Sequence, residues 1–282
     1  MHIAGVERMP PRPPSLTARG AAGHRAAHQA LDGAAIFRDP FARRLLGAAD
    51  CAWADARAAD PRTRPLRLFI AARSRFAEDK LAAAVARGVR QAVALGAGLD
   101  TFALRNPWPG VRVFEVDHPA TQAWKRERLK DEDIAIPATL TFVPVDLERE
   151  DLYACLSACG LVPDQPAFFI WLGVVPYLSR EAIVSVLRPV ARRHSEIVFD
   201  YGELPENRTP DERARAEAFA ARVARAGEPL VSWFEPAALH TELRRLGFGE
   251  IEDVDAAALA ARYVHEMDVG PFGGGHVLRA RA

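Results

Sequence analysis

Sulfur and charge imbalance are both scarce in this 282-residue chain, which carries three cysteines and three methionines and has 37 basic side chains against 37 acidic ones. Cys51, Cys155 and Cys159 are odd in number and lack the spacing of a metal-ligand set, so neither a disulfide framework nor a metal centre is expected; they read as buried thiols in a reducing cytoplasm, Cys155 and Cys159 being a helical i,i+4 pair. Without a basic excess there is no electrostatic footprint for nucleic acid, and none is expected as a partner. No apolar run approaches the ~20 residues that span a bilayer, so no membrane partner is expected either. The first 14 residues hold Pro10, Pro11, Pro13 and Pro14, lack the apolar core of a secretion signal, and read as a loose arm. No internal repeat is evident.

What is present is a patterned centre. Gln91 to Leu95 is a short apolar run broken by Gly96 and Gly98, and Val111 to Val116 is a second one that brings Glu115 and Asp117 to its end. Runs of this kind read as adjacent strands of a parallel sheet, buried on both faces. The two glycines let the backbone turn sharply, and a carboxylate on the neighbouring strand edge can accept both hydroxyls of a ribose. A dinucleotide site would want a third glycine where Thr101 stands, and Asp100 puts negative charge where a pyrophosphate would lie. The pattern therefore fits S-adenosylmethionine better than NAD, while a purely structural turn and an NAD-dependent oxidoreductase stay open at this point.

Further along, Thr141 to Val145 ends at Asp146-Leu147, Ala167 to Val174 is the most apolar run and is followed by Tyr177, and Glu196 to Tyr201 is a fifth strand. Ser179 reads as the N-cap of the helix after Tyr177, and Trp171 as core. Strands alternating with helical stretches imply right-handed crossovers and a site at the carboxyl ends of the strands. Phe248 to Val254 and His276 to Ala280 would close the sheet, the second as an antiparallel edge strand. The length suits one domain over 15–282: a helical cover at 15–90, a cofactor-binding core at 91–201, a charged amphipathic segment at 203–230 read as a lid or a plain solvated helix, and closing elements at 231–282, with a helix from Trp233 to Phe248.

The ordered set ARSRFAEDKL, VALGAGLDTFALR, FEVDHP, VPVDLERED and FFIWLGVVPYLSREA, preceded by TARGAAGHRA and DGAAIFRDPFARRLLG, resembles the leucine carboxyl methyltransferase family in its bacterial S-adenosylmethionine-dependent branch. The resemblance runs from about residue 15 to at least residue 200. It implies a class I methyltransferase fold: a Rossmann-like α/β seven-stranded sheet, mostly parallel with an antiparallel last strand, an N-terminal helical extension and an inserted lid helix. It also implies a cofactor site in which Arg73 approaches the methionine carboxylate, Gly96 and Gly98 form the turn beneath it with Asp100, Asp117 holds the ribose, and Asp146 and Leu147 flank the adenine. Similar proteins often carry a glutamate at or beside Leu172, a departure that leaves a non-catalytic cofactor-binding protein as an alternative. Such proteins modify a protein C-terminus in some cases and natural products in others.

Methyl transfer asks mainly for placement of donor and acceptor about 3 Å apart in a water-poor pocket. A carboxylate acceptor is already ionised near neutral pH, whereas a hydroxyl calls for a base. His118, His194, His240, His265 and His276 read as structural or surface histidines, and Tyr177 and Tyr201 stand where a side chain could orient an acceptor oxygen. The expectation is an O-methyltransferase acting on a carboxyl or hydroxyl group of a small metabolite, with Arg73 and Tyr177 as positioning residues.

Overall fold

A computed structural model describes residues 15–264 and 275–282; the N-terminal arm and His265 lie outside the described residues. The strands are β1 Gln91–Leu95, β2 Arg112–Asp117, β3 Leu140–Pro144, β4 Ala167–Trp171, β5 Glu196–Gly202, β6 Glu250–Asp255 and β7 Gly275–Arg281. Before the sheet come α1 Leu16–Leu31, α2 Ala42–Leu46, α3 Ala48–Ala58 and α4 Arg64–Ala86. Between and after the strands lie α5 Phe102–Arg105, α6 Pro119–Asp131, α7 Leu152–Ala158, α8 Arg180–Arg192, α9 Pro210–Arg225, α10 Pro236–Leu246 and α11 Ala256–Tyr263.

The seven strands form one sheet in the order β3-β2-β1-β4-β5-β7-β6. The pairs β1–β2, β1–β4, β2–β3 and β4–β5 are parallel, and β7 runs antiparallel to both β5 and β6. Alternation along the strands divides the core: Val93, Phe169, Trp171 and Phe199 face one apolar layer, and Ala92, Phe168, Ile170 and Val198 the other. A third apolar cluster, with Ala22, Leu45, Leu46, Ala54 and Leu129, locks the N-terminal helices together beside the sheet. Trp171 is fully buried, and Ser179 caps α8 by accepting from the Ala182 N–H at 3.2 Å.

Four sequence expectations change. The last strand is interior: β7 is hydrogen-bonded on both sides, Val277, Leu278 and Ala280 are wholly buried, and the acidic β6, in which Val254 alone is buried, takes the edge. β4 stops at Trp171 because the next glycine, Gly173, gives its N–H to the Asp200 side chain rather than to a ladder. The helix expected from Trp233 begins at Pro236 under an Glu235 N-cap, and of the three thiols only Cys51 is buried. The sheet order reverses between β1 and β4, which opens a crevice at the carboxyl ends of the strands. Among the described residues no helix is long and apolar enough to cross a membrane.

Candidate functional site

The crevice is a cavity of about 440 Å³, and its lining includes Arg73, Gly96, Gly98, Asp100, Asp117, Asp146, Leu147 and Tyr177. The cofactor-site residues that the resemblance implies, together with Tyr177, thus line one cavity, whereas Glu115 and Tyr201 do not. The turn after β1 is built tightly. Gly96 has φ +60°, and a Cβ there would run into Val174 Cγ2; Gly98 has φ +50°, and a Cβ would stand 2.8 Å from the Ala18 Cβ of α1. Side chains would be strained at both positions and would collide with the two elements that wall the cavity.

At the end of β2 the Asp117 carboxylate accepts the Gly98 N–H at 2.5 Å through one oxygen and the His118 N–H at 2.7 Å through the other. Each oxygen keeps a lone pair for a hydroxyl. Burial pushes this carboxyl up from its ordinary range, and the two N–H bonds work against that. Asp100 turns inward instead, its carboxylate capping the Phe102 N–H at 2.7 Å. Past β3, the Asp146 carboxylate accepts the Glu148 N–H at 3.1 Å and closes the turn that presents Leu147. Glu115 is not at the edge. It is 1 % exposed and paired with Lys125 of α6 at 2.6 Å, and Lys125 also donates to the Asp100 carbonyl at 2.5 Å.

Arg73, on the long helix α4, donates to Asp200 at 2.5 Å, and the other Asp200 oxygen accepts the Gly173 N–H at 2.5 Å. The guanidinium lies over Gly173, where a Cβ would come within 2.8 Å of it, and its buried Nε has no hydrogen-bond partner. Asp200, which holds Arg73 and Gly173, is absent from the sequence reading, although its signal is the one that marks Asp117 and Asp146: an acid near the end of an apolar strand. Tyr201, the neighbour weighed for a role, faces the other way, donating to Asp253 at 2.6 Å and stacking on His276 at 4.8 Å.

A second cavity of about 390 Å³ adjoins the first and shares Thr17, Ala21, Arg73, Gly173 and Tyr177 with it. Its walls come from α1, α3, α4 and α9, so the charged segment read as a lid supplies Phe219, Arg222 and Val223. Tyr177 stands where the two spaces meet, its hydroxyl pushed up to about 12 by burial and therefore protonated at neutral pH. His24 lines the second cavity and is the histidine that sequence reasoning passed over. Burial, then Arg57, Arg67, Arg222 and Arg73, hold it down at about 3, so it is a neutral imidazole. His118 caps α6 through Ala120, His240 and His276 hold Asp253, and His194 sits exposed in a turn.

The family described as leucine carboxyl methyltransferase matches residues 18–191. A Bacillus subtilis protein named "Putative S-adenosyl-L-methionine-dependent methyltransferase YktD" is 39% identical over 168 residues, 58% of this chain and 55% of that protein. A like-named protein of Mycolicibacterium paratuberculosis is 31% identical over 272 residues, 89% of this chain and 80% of its own. The matches span about half the length of the first curated relatives. Among solved structures, one from Thermobifida fusca titled a "putative methyltransferase" has TM-score 0.57 at 17% identity over 95% of both chains, which bears on the fold alone. With the family matching well over half of its length, this chain belongs to the leucine carboxyl methyltransferase family.

Proposed function

We propose that this chain transfers a methyl group from S-adenosyl-L-methionine to a carboxyl or hydroxyl oxygen of a small acceptor. The observation that carries the reading is the pair of cavities meeting at Arg73, Gly173 and Tyr177, one lined by the Asp117 carboxylate and the other walled by aromatic and aliphatic side chains with arginines among them. The residues present fit the cofactor: Asp117 has oxygen lone pairs to spare for ribose hydroxyls, the Arg73 guanidinium has an unmet Nε for a methionine carboxylate, and Asp146 with Leu147 offers a polar and an apolar flank for adenine. When bound, the cofactor supplies an electrophilic methyl group on a sulfonium.

The chain's own residues then have three tasks. The apolar part of the second cavity's wall, Trp53, Ile70, Phe219 and Val223, would limit hydration of the acceptor oxygen once the acceptor packs against it. The protonated Tyr177 hydroxyl donates a hydrogen bond that orients that oxygen. No group in the second cavity is poised as a strong base, because His24 is held at about 3. This electrostatics favours an acceptor that arrives ionised, a carboxylate ahead of a hydroxyl. The NAD reading loses support because the Asp100 carboxylate occupies the N-terminus of α5, a helix of four residues, where a pyrophosphate would need to sit.

Incubation with methyl-tritiated S-adenosyl-L-methionine and a panel of small carboxylic acids and phenols tests this. The expected product carries label that mild alkali releases, as from a methyl ester; alkali-stable label would assign a hydroxyl acceptor, and no transfer to any extract or panel member would favour the non-catalytic binder.

A further inference from the structure

Arginines line the second cavity, and among the described residues no carboxylate joins them in its wall. Arg57 projects into it from α3 and Arg222 from α9. Among the described residues neither guanidinium has a carboxylate within ion-pair distance, whereas three of their neighbours do: Arg19 is paired with Asp50, Arg67 with Asp32 at 2.7 Å, and Arg73 with Asp200 at 2.5 Å. Each of the two is held instead against an aromatic ring, Arg57 over Trp53 at 5.6 Å and Arg222 over Phe219 at 4.9 Å. They are close enough to act on each other: burial and then Arg57 lower the pKa of Arg222, so the charged pair is unfavourable as it stands. Two like charges that stack on rings at one cavity wall, with no carboxylate at ion-pair distance among the described residues, form a receptor for an oxyanion, which would relieve the repulsion and gain charge-assisted hydrogen bonds. Arg222 lies beyond residues 18–191, so this pairing is a feature of the chain's own lid rather than of the matched family segment.

We propose that Arg57 and Arg222 together anchor an oxyanion on the acceptor, a carboxylate or a phosphate borne on an aromatic or alkyl body that packs against Trp53 and Phe219. The inference rests on the reading of the second cavity as the acceptor's. It makes α9 a lid whose seat is set by the ligand's charge, because the anion joins a residue of the lid to a residue of the N-terminal cover.

Calorimetric titration of the protein loaded with S-adenosylhomocysteine decides it, with 2-naphthoate, 2-naphthyl phosphate and the neutral 2-naphthamide as probes. At least one anion is expected to bind about tenfold or more tightly than the amide, and the better anion tells carboxylate from phosphate. In the protein with Arg57→Gln and Arg222→Gln the preference disappears, while S-adenosylhomocysteine still binds within about twofold of wild type. Where the double substitution impairs folding, Arg57→Lys with Arg222→Lys, which keeps charge but loses the planar fork, should weaken the anion severalfold and leave the amide unchanged. Equal binding of anion and amide to the wild-type protein, no anion binding, or a preference that survives the glutamine substitutions overturns the proposal. Failure of S-adenosylhomocysteine itself to bind would count against the methyltransferase reading alone, since the same anion titrations on the unloaded protein still report on the arginine pair.

Discussion

An Asp200→Ala protein is expected to lose about 3–5 kcal/mol of stability, the usual cost of orphaning one member of a buried ion pair. Asp200 is 6 % exposed and Arg73 8 %, so water screens the remaining guanidinium poorly. The same carboxylate satisfies the Gly173 N–H just beyond β4, and its removal leaves that donor unmet as well. Asp200→Asn separates the two contributions: the amide oxygen keeps the Gly173 bond while the charge is gone, so its loss should be smaller. Urea unfolding measures both, with stability read from the midpoint at constant slope. A loss below about 1 kcal/mol in Asp200→Ala would show that the pair is open to solvent and that Arg73 is positioned by something else.

A comparable loss, about 3–5 kcal/mol at pH 8, is expected for Lys125→Met, by the same physics in a different place. Lys125 and Glu115 are both about 1 % exposed and 2.6 Å apart, and Lys125 also fastens the Asp100 carbonyl, tying the turn after β1 to α6. The Glu115 carboxyl stands at about 7 because burial raises it from 4.5, Lys125 pulling the other way. A folded-state pKa above the unfolded one means that the folded protein holds the proton more tightly. This contribution to stability is complete below about pH 4.5 and fades as pH rises through about 7. Without the lysine the folded pKa goes higher still, and the window of falling stability extends further into alkaline pH. Lys125→Met should therefore be penalised more at pH 8 than at pH 5, where Glu115 is protonated and no bare charge remains. A penalty independent of pH would mean that Glu115 is neutral or hydrated throughout.

These two pairs also mark the limit of what the sequence could tell. The parallel part of the sheet was legible because strands buried on both faces write continuous apolar runs, and Gly96, Gly98, Asp117 and Asp146 stand at their ends, where the fold collects a site. The order of the closing strands was not legible, since alternation in β6 and β7 says which side is buried and nothing about which strand is interior. Glu115 looked like a second edge carboxylate, because period 2 puts it on the same face as Asp117; its lysine comes from α6. Arg73 and Asp200 are 127 residues apart, and the field on His24 comes from arginines on α3, α4 and α9, so neither environment exists until the chain has folded. Tyr201 and Tyr177 both close apolar runs, yet strand pleating turns one toward Asp253 and a loop brings the other to the meeting point of two cavities.

The account stands on the crevice beyond β1 and β2 being an adenosyl site, and titrating S-adenosylhomocysteine into wild-type and Asp117→Ala protein in a calorimeter tests that most directly. One molecule should bind per wild-type chain, and the substitution should weaken binding roughly tenfold to a hundredfold, the ~1.5–3 kcal/mol carried by hydrogen bonds to a charged acceptor. Wild-type protein that does not take up the ligand, or an Asp117→Ala protein that binds it as tightly as wild type, would contradict the account.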